Sequence, residues 1–243
     1  MGSKIDRSRV LYIFIVLGVV ALPLLSILLG VGFLLGRNFL NFVRHLSDEI
    51  YYWHQAATFR EAGFNGGYYT VNETPAPIAF IHFYSWGPAS PIVFGSIGKL
   101  LGWKFNSIPI LNLAFLSLAI AWFIKIVKPG YAQLGLMAAV LISSWPLQIY
   151  LPTGLLVVTF MACGIIMAAI FHRILAGPKK ISRFQLAGFF SAIVLMTSFQ
   201  VSWAVLFLPF LVIIRERLRL SITQAVLTAA LLIASGFLIF NQV

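Results

Sequence analysis

Two adjacent carboxylates, Asp48 and Glu49, stand just beyond a long apolar run and just before the aromatic stretch Ile50-Tyr51-Tyr52-Trp53. A carboxylate where a membrane surface meets water can take a proton from an attacking hydroxyl. Partial desolvation raises its basicity, and a neighbouring Arg44 or Arg60 opposes that shift. The same residues also read as a helix start, because Ser, Asp and Glu favour the positive end of the helix dipole. Base and cap are compatible, and both readings stay open. Further along the same loop, His54, Arg60, His82 and Tyr84 carry the donors that bind a phosphate or a sugar, Arg through its planar fork and His as a switchable donor. As single residues they serve equally well as anchors in the headgroup layer.

Other chemistries find less material. An oxygen-rich divalent site needs several convergent carboxylates, whereas the chain offers one adjacent pair among six acids, so no cofactor is expected; a divalent cation stays open but is not indicated. The single cysteine, Cys163, lies in an apolar run and can form neither an intrachain disulfide nor a cysteine cluster. Phosphate-loop, nucleophile-elbow, HExxH and CxxC patterns are all missing.

The elements that must hold these residues follow from composition. At 60% hydrophobic and 9% charged, with a mean hydropathy of +0.97, the 243 residues cannot form a water-soluble globule. Apolar runs near the length that crosses about 30 Å of hydrocarbon predict an all-α polytopic membrane protein rather than a barrel. The runs fall at about 10–35, 108–124, 131–150, 154–175, 185–199, 201–214 and 222–240, which makes seven spans in one transmembrane domain covering 1–243. Asn112, Gln148, Gln200 and Gln224 are their polar residues, suited to bonds between helices. No charge sits in mid-span, which argues against an ion channel or a proton pump.

A net charge of +11 resembles a nucleic-acid signal until its carriers are placed along the chain. With seven spans, Lys4, Arg7, Arg9, Lys125, Lys128, Arg173, Lys179, Lys180, Arg183, Arg215, Arg217 and Arg219 all fall on one side. That is the positive-inside pattern, so the charge is topogenic, with no nucleic-acid partner, the N-terminus cytoplasmic and the C-terminus extracytoplasmic. Counting 87–103 as a crossing would scatter these groups. Its Pro88, Pro91, Gly95 and Gly98 make an interfacial or re-entrant helix the better expectation.

The first extracytoplasmic loop, 37–107, holds Asp48, Glu49, Glu61 and Glu73, four of the six acids. A loop that long carries function or structure of its own. Within it, 50–64 reads as a short amphipathic helix with Ile50, Trp53, Ala57 and Phe64 toward lipid and His54, Gln55 and Thr58 toward water.

In order and residues this arrangement resembles the N-terminal half of membrane glycosyltransferases of the GT-C fold, which use polyprenyl-phosphate sugars and include protein mannosyltransferases and aminoarabinose transferases. The likeness is carried by Asp48-Glu49-Ile50-Tyr51-Tyr52-Trp53, Arg60-Glu61-Ala62-Gly63, Gly87-Pro88-Ala89-Ser90-Pro91 and Lys99-Leu100-Leu101-Gly102-Trp103. It implies a seven-helix module with juxtamembrane helices, in an inner or plasma membrane of bacterial or archaeal type. It further implies a polyprenyl-phosphate-linked sugar as donor, transferred to an acceptor on the outer face, with Asp48 as base and Glu49 its companion. The chain departs from the family in lacking an acid at 150–154 and a basic residue at 198–200. Such relatives usually continue for several helices more. The alternative is therefore a non-catalytic subunit of that fold, which packs against other membrane subunits in a larger complex or binds membrane lipids.

Overall fold

The computed structural model describes residues 7–38, 47–66, 88–176, 191, 193–199, 215–216, 221–227, 229–230 and 234. Helices dominate these residues and no strand occurs among them. Among the described residues seven α-helices have both ends in view: α1 Arg7–Ile27, α2 Ser47–Ala62, α3 Ala89–Leu101, α4 Ser107–Val127, α5 Tyr131–Ser143, α6 Trp145–Tyr150 and α7 Val157–Ala176. A π-helical stretch, Leu28–Leu34, prolongs α1, and a 3-10 turn, Gly63–Asn65, prolongs α2. Among the described residues three stretches, Arg7–Phe33, Ser107–Val127 and Val157–Ala176, are long and apolar enough to cross a membrane. They match the expected runs at 10–35, 108–124 and 154–175. Of the runs at 185–199, 201–214 and 222–240, most residues lie outside the described ones.

The expected run 131–150 is broken. Helix α5 stops at Ser143, Ser144 adopts an extended conformation (φ −72°, ψ 92°), and α6 begins at Trp145. Pro146 explains the break, since it has no N–H for the carbonyl four residues back and its ring crowds that carbonyl. The side-chain amide of Gln148 donates to the Leu141 carbonyl across the gap at 3.5 Å. Helix α5 alone, at 13 residues, rises about 20 Å, short of the hydrocarbon thickness.

The chain divides into two compact units. The first comprises Met1–Leu46 and Ile108–Ala169. Its core joins Val19, Ile27 and Val31 to Leu116, Ile120 and Ile124 of α4, Leu134 of α5, Leu147 and Leu151 around α6, and Val158 and Ala162 of α7. The outward side of α1 is also apolar, with Phe14 and Leu17 exposed. A helix greasy all round suits lipid rather than water. Two phenols orient the unit: the Tyr12 hydroxyl donates to the Pro129 carbonyl at 3.0 Å, and that of Tyr131 to the Ser8 carbonyl at 2.9 Å. Their rings meet edge to face at 5.8 Å. These contacts hold the start of α1 and the α4–α5 turn at one end of the unit. At the other end, Asn112 near the start of α4 donates to the Leu155 carbonyl at 2.9 Å and accepts from the Thr159 hydroxyl at 2.6 Å. Helices α1 and α4 therefore run in opposite directions, and α4 and α7 start at the same end.

The second unit comprises Ser47–Ser107 and Ile170–Val243. Helices α2 and α3 pack as an antiparallel pair, with Gly95 against Ala56 and Phe59, and Trp53 against Trp103 and Phe105. Gly95 is required at that crossing, because a Cβ there would stand 2.7 Å from the Ala56 carbonyl oxygen. Helix α3 has 13 residues, again too few for a span on its own.

Candidate functional site

Asp48 and Glu49 occupy the first turn of α2, where acids complement the helix dipole. The helix separates them by 100° of rotation, and packing completes the separation: Asp48 is exposed, whereas Glu49 is 3% exposed. The buried side of α2 is unusually polar, since Glu49, Tyr52 and Gln55 share it with Ala56. Its exposed side carries Ile50 and His54, and Phe64 of the following 3-10 turn is exposed as well. The expected lipid side is thus exposed at Ile50 and Phe64, but Gln55 faces inward rather than toward water. The side-chain nitrogen of Gln55 has no hydrogen-bond partner among the described residues, nor do Trp103 Nε1, Ser90 Oγ and Thr197 Oγ1.

Tyr52 follows Asp48 by one helical turn, so the two side chains stand one above the other. Burial pushes the phenol well above its usual value, and the Asp48 charge adds to that. Tyr52 is therefore a protonated donor at neutral pH, next to an exposed carboxylate. The sequence marks Tyr52 only as part of an aromatic run and Gln55 only as water-facing, not as neighbours of the carboxylates on one stripe. Their spacing of four and seven from Asp48 was the available signal, because those steps keep a residue on one helical stripe.

The other candidates are not gathered here. Arg60 lies in the last turn of α2, 12 positions from Asp48, which on a helix is about 18 Å. Its guanidinium pairs with Glu61 at 2.7 Å. His54 is exposed, on the Ile50 side. His82 and Tyr84 lie outside the described residues. Among the described residues no three His, Cys, Asp or Glu side chains are grouped to hold a metal ion.

Within the same unit an apolar groove of about 510 Å³ opens between the first half of α3, through Pro88, Ala89, Ile92 and Val93, and the helical segment 193–199, through Val194 and Leu195. It lies toward the C-terminal end of α2, because α3 runs antiparallel to that helix. Comparison with family models, with curated proteins and with solved structures finds no match for this chain.

Proposed function

We propose that this chain is a membrane protein that transfers a glycosyl group from a polyprenyl-phosphate donor to a hydroxyl acceptor at the membrane surface, with Asp48 as the base. The observation that carries the reading is the divided carboxylate pair on the first turn of α2: Asp48 is open to an incoming acceptor, while Glu49 is buried behind it. Asp48 takes the acceptor hydroxyl proton as that oxygen attacks the anomeric carbon. The bond from that carbon to the phosphate oxygen breaks, and polyprenyl phosphate departs with the electron pair and one further negative charge. Tyr52, kept protonated, donates toward the Asp48 carboxylate or the sugar. The 510 Å³ groove is large and apolar enough for part of an isoprenoid tail. Arg60, paired with its neighbour Glu61, stands about 18 Å along the helix from Asp48 and is therefore not assigned to the reacting phosphate.

Topology belongs to the same proposal. The tyrosine clamps place Arg7, Arg9, Lys125 and Lys128 toward one end of the first unit, which supports a cytoplasmic position for all four. Because α1 and α4 run oppositely, the segment between them begins and ends on the same side. That favours α3 as an interfacial or re-entrant helix.

The test is transfer by the purified full chain in detergent or nanodiscs, supplied with polyprenyl-phosphate sugars. Asp48→Asn keeps the size and much of the capping ability but cannot take a proton, so turnover should fall by about 10²–10⁴-fold with thermal stability nearly unchanged. If Asp48→Asn transfers sugar at the wild-type rate, the base assignment fails. A wild-type chain that neither binds nor consumes any such donor, yet co-purifies stoichiometrically with other membrane proteins, moves the assignment to the scaffolding subunit.

A further inference from the structure

The tip of the α2–α3 pair has a surface that the transfer reaction does not use. At the end of α3, Leu100 and Leu101 are 84% and 78% exposed, and Phe105 beyond the turn is 50% exposed. Lys99 and Lys104 bracket the leucines and are both exposed. No acid occurs anywhere from 89 to 107. We infer that residues 99–105 form a binding surface for the headgroups of anionic lipids, with Lys99 and Lys104 on the lipid phosphate and Leu100, Leu101 and Phe105 in the adjoining acyl layer.

The tip is built rather than loose. Gly102, at φ +85°, ends α3 and reverses the chain, a conformation that residues with a Cβ rarely adopt. Trp103 then folds back onto Gly98, its ring lying where a side chain there would begin, and meets Trp53 at 6.0 Å between ring centres. The indole N–H of Trp53 donates to the Lys104 carbonyl at 3.0 Å, and the Lys104 N–H donates to the Ser107 hydroxyl at 2.7 Å. Backbone and aromatic rings are thereby fixed, while two leucines and two ammonium groups are left facing outward.

Chain connectivity gives the depth. Phe105 stands two residues before α4, which is long and apolar enough to cross a membrane, so the tip lies at the level where that helix leaves the hydrocarbon. At that level leucines enter the acyl boundary, and lysines reach out on their flexible stems to phosphates. A zwitterionic surface offers two cations no net attraction. An anionic one does, and each lysine near it changes lipid preference about fivefold. This inference rests on the membrane reading of the chain and is independent of the glycosyl-transfer reading.

The experiment uses the full chain carrying Leu101→Cys, labelled with an environment-sensitive bimane. The buried native Cys163 is left in place, and labelling of the parent chain is measured as the blank. The labelled protein is reconstituted into phosphatidylcholine vesicles containing phosphatidylglycerol, with bromine on the acyl chains of one lipid or the other. Stronger quenching by brominated phosphatidylglycerol than by brominated phosphatidylcholine at equal mole fraction is the expected result. The preference should vanish in K99Q/K104Q and return in K99R/K104R, and inorganic phosphate should leave it unchanged. Equal quenching by the two lipids, or a preference that survives K99Q/K104Q, overturns the inference. So does a preference abolished by inorganic phosphate, which marks a free-phosphate site, and so does a label quenched by neither lipid, which marks a tip covered by protein or standing in water.

Discussion

Asn112 shows how much one side chain does in an apolar bundle. It is fully buried, its amide donates to the Leu155 carbonyl and its oxygen accepts from Thr159. Asn112→Ala leaves a carbonyl and a hydroxyl without partners where no water competes, and should cost about 1–3 kcal/mol in thermal unfolding of the detergent-solubilised protein. Because Thr159 loses its partner in that variant, adding Thr159→Val should cost less than the sum of the two single changes. Tyr52 supplies a pH signature. Its folded value is raised above the ordinary tyrosine range near 10 by burial and by Asp48, so the neutral phenol's contribution to stability is fully present below about pH 10 and is lost as the pH rises beyond it. The difference in tyrosinate absorbance between wild type and Tyr52→Phe should accordingly be near zero at pH 10.5. A full phenolate in that difference would refute the burial of Tyr52. The place of Asp48 at a helix start and the bonds of Asn112 between helices were legible in the sequence, the first from Ser-Asp-Glu before an aromatic run, the second from a lone amide in a span. The burial of Glu49 and Gln55 was not, because the period of a helix does not say which of its sides tertiary packing covers.

At the scale of elements, the apolar periods at 108–124 and 154–175 were enough to reveal α4 and α7, since an uncharged run of that length has few other stable forms. The run at 131–150 was misread as one helix, although Pro146 within it was a plain stop signal that hydropathy alone outweighed. Packing between α2 and α3 leaves no such signal. Gly95 and Gly164 are both glycines inside helices, yet a Cβ at the first meets the Ala56 carbonyl oxygen and the Phe59 Cβ, while a Cβ at the second meets nothing within 4 Å. Gly95→Val should therefore force α2 and α3 apart at a cost of about 1–3 kcal/mol. Gly164→Ala should stay within about 0.5 kcal/mol of wild type. Thermal unfolding of the two variants side by side checks the contrast, and equal destabilisation would mean that the α2–α3 crossing is not a close contact.

For the whole molecule, the proposed orientation rests on the charge pattern, and packing adds only that α1 and α4 run in opposite directions. The basic residues sort to one side only if an even number of crossings, or none, separates α1 from α4. The hydroxyl bonds of Tyr12 and Tyr131 put the start of α1 beside the end of α4, which two helices joined by an odd number of further crossings could not achieve. In the proposed orientation Arg7, Arg9, Lys125 and Lys128 are cytoplasmic, and the expectation for the loop from 37 to 107 is the outer side. Single-cysteine labelling of the membrane-embedded chain tests this at two exposed positions. Ala132→Cys, next to the Tyr131 clamp, should react with a membrane-impermeant maleimide only after the cytoplasmic side is opened, whereas Asn65→Cys, just past α2, should react in intact cells. Reaction of both from the same side would break the link between the clamp and the positive-inside pattern. If that side were the cytoplasmic one, Asp48 would move there with Asn65, where an outer-leaflet donor could not reach it.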